Sequence, residues 1–249
     1  MAIVAVLPAR FASTRLPGKP LLADTGRPLI QHVVEAARRS TRIDRVIVAT
    51  DDARIEAAVL AFGGECRMTR ADHPSGTDRV AEVVAGLPEA DIVINLQGDE
   101  PEISAEALDR VADLLAHDLE APMATLATPI RDPAVYRDPS CVKVVISSRG
   151  RALYFSRSPI PCYRDGIPDA DAGPIAHLHL GLYAYRREYL LKLATMPPSR
   201  LEQAEKLEQL RVLEAGDPIA IGVVDEPSIG IDTPEDYARF VARHRAAGL

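Results

Sequence analysis

The sequence predicts an α/β protein: a mixed, mostly parallel central sheet with helices on both faces and a smaller antiparallel excursion. Three observations carry this. Short β-rich runs alternate with longer stretches of helical periodicity through the first half of the chain. The first run, Ile3-Val4-Ala5-Val6-Leu7, is apolar throughout, as a strand covered on both faces should be. In the second half, strand-like runs follow one another without full helices between them, which favours antiparallel pairing.

Each element has its own signal. After the first strand comes a long polar loop, Arg10 to Thr25, and then Leu29, Ile30, Val33, Val34 and Ala37 recur at helical spacing. Arg45 to Thr50 is a second strand, and the helix after it stops at Gly63-Gly64, a glycine C-cap signal. Val80, Val83, Val84 and Leu87 mark another helix, Asp91 to Leu96 a third strand, and Leu108 to Leu115 a helix with Ser104 as N-cap. Residues 123–128, 142–146, 152–155 and 180–185 read as strands, and 161–177 as a loop rich in proline, glycine and aspartate. Leu201 to Leu213 reads as one helix and Ala220 to Val224 as a strand. A final helix opens with Thr233 as N-cap and Pro234 in its first turn. The 249 residues are read as a single domain, with the excursion at about 123–190.

Composition narrows the function. Charged residues make up 26% and hydrophobic residues 47%, an ordinary soluble balance. A net charge of −7 argues against a nucleic-acid binder, and no apolar run approaches the ~20 residues of a membrane span. Three cysteines without C-x-x-C spacing fit a reducing cytoplasm and exclude a disulfide framework.

Three features bear on chemistry. The loop Arg10-Phe11-Ala12-Ser13-Thr14-Arg15-Leu16-Pro17-Gly18-Lys19 puts three cations within ten residues where the chain leaves the first strand. In doubly wound sheets ligands bind beyond the carboxyl ends of the strands, and such a loop suits a triphosphate; alone, it is equally a solvated basic loop. It matches neither the G-x-x-x-x-G-K-[ST] nor the G-x-G-x-x-G pattern, which counts against a P-loop kinase and a dinucleotide oxidoreductase. The second feature, Gln97-Gly98-Asp99-Glu100-Pro101, ends the third strand and offers either a carboxylate for Mg²⁺ or a polar turn. The third, Asp232, is either a second metal ligand or an extended cap of the last helix.

Taken together, these stretches resemble the 3-deoxy-manno-octulosonate (KDO) cytidylyltransferases, or CMP-KDO synthetases. The similarity runs through Leu7 to Arg10, Ser13 to Leu21, Val48 to Asp51, Met68 to His73, Ser75 to Thr77, Asn95 to Pro101, Ala152 to Arg157, Leu207 to Val212 and Asp232 to Asp236. The resemblance implies a Rossmann-like nucleotide-diphospho-sugar transferase fold. It implies transfer of CMP from CTP to KDO with release of pyrophosphate, for lipopolysaccharide biosynthesis, with Mg²⁺ as cofactor and a homodimer as the assembly. With the residue chemistry, it assigns Arg10, Arg15 and Lys19 to the triphosphate, and Asp99 and Asp232 to the metal. Ala9, Ser13, Ser75, Arg79 and Gln97 fall near the nucleotide. Arg157 is the candidate for the KDO carboxylate, since guanidinium can bind it through a fork. His179, Tyr183, Glu205 and Gln209 are further sugar candidates; Glu205 and Gln209, four apart, are expected on one helix face. Pro161 to Asp165 departs from the family pattern, and Cys162 has no nucleophilic role because no histidine base accompanies it. The competing readings are a cytidylyltransferase for another acidic sugar (8-amino-KDO or sialic acid), a metal-dependent glycosyltransferase, and a non-catalytic nucleotide sensor.

Overall fold

The computed structural model describes residues 1–12, 16–168, 173–225 and 230–248. The chain divides into two compact units, Met1–Asp109 with Ser228–Leu249, and Arg110–Pro227. The excursion expected at 123–190 lies inside the second.

The first unit is a parallel sheet. β1 (Ile3–Ala9) pairs with β2 (Arg45–Thr50) on one side and with β4 (Ile92–Asn95) on the other, and β2 pairs with β3 (Glu65–Met68). Helices α1 (Leu29–Ala37), α2 (Ala53–Ala61) and α3 (Gly76–Ala85) make the crossovers. The strand order β3-β2-β1-β4 means that the first two crossovers step one way and the third returns to the far side of β1. With right-handed crossovers this places α1 and α2 on one face and α3 on the other. The order therefore reverses between β1 and β4, and the carboxyl ends of those strands flank a switch-point crevice. Both strands are buried almost throughout, as the apolar runs require. α9 (Pro234–Ala246) completes this unit; its Tyr237, Phe240 and Val241 pack with Leu16, Leu29 and Ile231. Thr233 caps it through a reciprocal capping box with Asp236, with Pro234 in the first turn. β3 was not anticipated. It has four residues, two of them charged, and pairs with β2, so it lacks the continuous apolar run of a central strand.

α4 (Ala105–His117) runs across the division in sequence, and Ser104 caps it by accepting from the Ala107 amide at 3.1 Å. In the second unit β5 (Met123–Ile130) pairs antiparallel with β8 (Ala176–Arg186) and parallel with β9 (Ile219–Val223). β6 (Lys143–Ile146) pairs antiparallel with β7 (Ala152–Ser156) and with β8. α5 (Pro133–Arg137) and α6 (Arg187–Thr195) are short helices that the sequence reading left unassigned.

The single helix expected over 201–213 is two. α7 (Arg200–Glu205) ends at Lys206, which is left-handed at φ 56°, and α8 (Leu210–Glu214) begins after a turn. The fork from Arg211 to Glu202, at 2.6 and 2.7 Å, explains the break. In a straight helix residues nine apart are about 13.5 Å apart along the axis, so the pair could not meet. Arg211 also donates to the carbonyls of Leu193 and Met196, at the end of α6.

Candidate active site

At the carboxyl ends of β1 and β4 the first unit holds a cavity of about 440 Å³, within the range of small-ligand sites. Ala9, Arg10, Lys19, Ser75, Gln97, Asp99 and Asp232 all line it. Ser13 and Arg15 lie outside the described residues.

The convergence of Asp99 and Asp232 on one cation is the central geometric fact. Lys19 Nζ lies 2.6 Å from Asp99 Oδ2 and 3.5 Å from Asp232 Oδ1, and it donates to the Ile231 carbonyl at 2.7 Å. The Ile231 amide in turn donates to the Asp99 carbonyl at 2.9 Å, so main chain ties the two acidic segments together. Lys19 is placed by the turn before it: Gly18 is left-handed at φ +69°, and a Cβ there would lie 3.2 Å from the Phe11 ring. The Arg54 guanidinium stacks 3.4 Å from the centre of the same ring. Leu16 anchors the far side of the loop on α1 and α9. Gly98 is needed for close approach, since a Cβ there would sit 3.1 Å from the Pro8 carbonyl oxygen.

The other wall is the start of α3. Ser75 Oγ accepts from the Asp78 amide at 3.1 Å and donates to its carboxylate at 2.6 Å, capping α3. Arg10 donates to the carbonyls of His73 at 2.6 Å and Ser75 at 3.2 Å, which joins the cationic loop to this helix start. Amides at a helix N-terminus suit an anion. Arg79 is fully buried, 3.2 Å from Asp51 and 2.5 Å from the Thr69 hydroxyl, and is not among the residues lining the cavity. Its Nε and Nη2 are buried without a hydrogen-bond acceptor among the described residues. Pro8, Pro74 and Gly76 line the cavity and were not singled out. Gly76 lies in the Ser75 to Thr77 stretch of family similarity.

The sugar candidates lie in the second unit. Arg157 follows β7; its Nε donates to the Glu205 carbonyl at 2.8 Å and its Nη1 to the Pro139 carbonyl at 3.1 Å. Its Nη2 has no protein partner among the described residues. Glu205 does not share a helix face with Gln209, as was expected. Glu205 is the last residue of α7 and Gln209 the N-cap of α8, with left-handed Lys206 between them. The Glu205 carboxylate instead accepts from the Ser156 hydroxyl at 2.6 Å and the Arg157 amide at 2.9 Å, clamping the end of β7.

His179 Nε2 lies 3.1 Å from Thr125 Oγ1, whose one proton faces two carbonyl acceptors, Leu182 at 2.7 Å and Leu180 at 3.0 Å. Nε2 therefore carries the proton and Nδ1 is left as an acceptor. Burial holds this imidazole well below its ordinary value, so it is neutral. Its ring packs against those of Phe155 and Tyr183. The Tyr183 hydroxyl donates to Gln209 Oε1 at 3.3 Å, and the buried Gln209 Nε2 has no acceptor in the protein among the described residues. A buried amide donor without a partner is rare enough to point to a ligand.

Comparison with known proteins agrees with this chemistry. The family model described as "Cytidylyltransferase" matches residues 4–221. The 3-deoxy-manno-octulosonate cytidylyltransferase of Pelobacter propionicus is 50% identical over 252 residues, covering 99% of this chain and 98% of the relative. That of Syntrophobacter fumaroxidans is 51% identical, covering 97% and 96%. A solved structure of CMP:2-keto-3-deoxy-manno-octonic acid synthetase complexed with CTP superposes with a TM-score of 0.92 at 47% identity, each chain covered completely. The chain belongs to the 3-deoxy-manno-octulosonate cytidylyltransferase family. As a family member it is a nucleotidyltransferase, which sets aside the glycosyltransferase and sensor readings. A synthase of 4-diphosphocytidyl-2C-methyl-D-erythritol from Anaerococcus prevotii, at 16% identity and a TM-score of 0.63, shares the fold.

Proposed function

We propose that this chain transfers CMP from CTP to KDO, with Arg10, Lys19 and the start of α3 holding the triphosphate. The observation that supports it most is the pair Asp99 and Asp232 meeting at one cation beside the phosphate loop. The KDO 2-hydroxyl oxygen forms a bond to the α-phosphorus, the α–β anhydride bond breaks, pyrophosphate leaves, and the hydroxyl proton passes to solvent.

The residues fit Mg²⁺. It commonly takes one or two protein carboxylates with phosphate oxygens and water, and two hard-oxygen carboxylates already share one positive charge here. Among the described residues no group of three or more potential ligands comes together, which suits a metal completed by its nucleotide. When bound, Mg²⁺ supplies charge neutralisation of the phosphates and lowers the pKa of a bound hydroxyl. The protein's own part is binding and orientation, which carry most of phosphoryl-type transfer. Lys19 keeps the two carboxylates apart from mutual repulsion and gives the phosphates a cation. Arg157 offers Nη2 to the KDO carboxylate, while His179 Nδ1 and Gln209 Nε2 offer an acceptor and a donor to sugar hydroxyls. Glu205 holds Arg157 in place.

We extend the reading to a homodimer in the cytoplasm. Leu153 is 60% exposed on β7, whose described pairing is with β6, and an apolar exposed edge needs cover. The three cysteines are free thiols. Pyrophosphate release from CTP, requiring both KDO and Mg²⁺, tests the function; release without KDO, or none with it, refutes it. Sedimentation of Leu153→Glu tests the dimer, with a shift to monomer expected.

A further inference from the structure

Lys143 opens β6 and is fully buried. Lysine is seldom found there without a carboxylate at its ammonium, yet among the described residues none lies within ion-pair distance. Nζ instead donates to three backbone carbonyls: Asp138 at 2.8 Å, Cys141 at 2.5 Å and Arg157 at 2.6 Å. Three acceptors around one nitrogen require three hydrogens, and a neutral amine has two. The geometry thus demands the charged form, although burial pushes this lysine below its ordinary value. The hydrogen bonds are satisfied, but the charge is not cancelled by contact. The nearest carboxylates, Asp138 first and then Glu205, act at longer range; that of Asp138 accepts from the Ser140 amide and hydroxyl, and that of Glu205 from the Ser156 hydroxyl and the Arg157 amide. A merely structural plug would not call for an uncancelled charge in a low-dielectric interior.

What the ammonium grips is Arg157. It holds the Arg157 carbonyl directly. It also gathers the carbonyls of Asp138 and Cys141, on either side of Pro139, whose own carbonyl orients Arg157 Nη1. The same group that fixes the guanidinium also adds positive potential around it.

We propose that Lys143 is a positioning and charge-supplying residue for the acceptor's carboxylate, through which this unit selects an acidic sugar over its neutral counterpart. The proposal rests on Arg157 as the carboxylate partner in the function given above.

The test compares KDO with its C1 carboxamide, measured as a competitive inhibitor, at saturating CTP and Mg²⁺. The quantity read is the ratio of the carboxamide Ki to the KDO KM. Lys143→Met removes the charge and the three bonds. Cys141→Asp, at a half-buried position whose Sγ lies 3.8 Å from the Asp138 carboxylate, adds a second negative charge beside the ammonium and keeps the three main-chain carbonyls as acceptors. Both are expected to lower the ratio roughly tenfold, with the KM for CTP unchanged, and Lys143→Arg is expected to keep it. An unchanged ratio in Cys141→Asp overturns the proposal, whatever Lys143→Met does, and decides it alone if Lys143→Met does not fold. Equal weakening of acid and carboxamide in Lys143→Met, with Cys141→Asp like wild type, marks a structural role and also overturns it. A wild-type protein that makes no CMP-KDO refutes the function itself, a separate outcome.

Discussion

The two units hold their candidate residues by different means. In the first, functional groups sit at the ends of parallel strands, and the central cation is held by opposite charges, Lys19 by Asp99 and Asp232, while Arg10 rests on carbonyls, those of His73 and Ser75. In the second, backbone carbonyls do most of the holding. Lys143 is bound by three, and Arg157 by those of Glu205 and Pro139. A site held by opposite charges can exchange partners when a charged ligand enters. A site held by carbonyls keeps its cations positive and waiting for an anion. The contrast suits a metal–triphosphate complex in one case and a carboxylate in the other.

The largest test of this contrast is Asp99→Ala. It removes the closer carboxylate from Lys19, and we expect turnover to fall on the order of a thousandfold or more. The partly exposed position leaves the melting temperature little changed. Near-wild-type pyrophosphate release would refute the metal assignment. Next is Arg157→Ala, for which steady-state kinetics should show the KM for KDO rising roughly 10–100-fold while the KM for CTP stays within about twofold. Loss of both affinities together would erase the division of labour between the units. Gly98→Ala should raise the KM for CTP about tenfold, because the new methyl would sit 3.1 Å from the Pro8 carbonyl and push the Asp99 turn away from β1. An unchanged KM would show that the crevice has slack.

The smallest effect concerns stability of the second unit. The hydrogen bond from Arg151, first, and the backbone amides of Glu120 and Ala121 hold the Asp118 carboxyl at about 2, below its ordinary 3.8. A folded value below the unfolded one gives stability that is present above about 3.8 and lost as pH falls towards about 2. Asp118→Asn should therefore cost about 1–2 kcal/mol at neutral pH. Its denaturation curve should converge with that of wild type near pH 2. A constant gap across that range would contradict the assignment.

What could be read in the sequence followed burial on both faces. Ile3 to Leu7 and Ile92 to Ile94 are unbroken apolar runs because no side of those strands meets water. β3 escaped notice because an edge strand can carry Glu65 and Arg67. The break at Lys206 was hidden because Leu207, Leu210 and Val212 keep an apolar spacing through it. Its cause, the Arg211–Glu202 fork, acts between residues nine apart that no local pattern links. The same holds for the site. Lys19, Asp99 and Asp232 each had a bland local reading as loop, turn and cap, and it is their meeting in space that supports the metal site proposed above. Arg79 had no local signal at all: family likeness put it near the nucleotide, and the structure buries it beside Asp51 and Thr69 with two nitrogens unpartnered among the described residues.

One contact sets a timetable for the newborn chain. Lys19 and Ile231 meet although 212 positions separate them. Translation at ~5–20 residues per second puts roughly 10–40 s between the birth of the lysine and that of its carbonyl partner. Throughout that interval the cationic loop waits on the ribosome without Asp232 and without the helix that covers Leu16 and Leu29. The crevice that Lys19 and Asp232 line is therefore closed off only late in synthesis, after nearly the whole chain has been made.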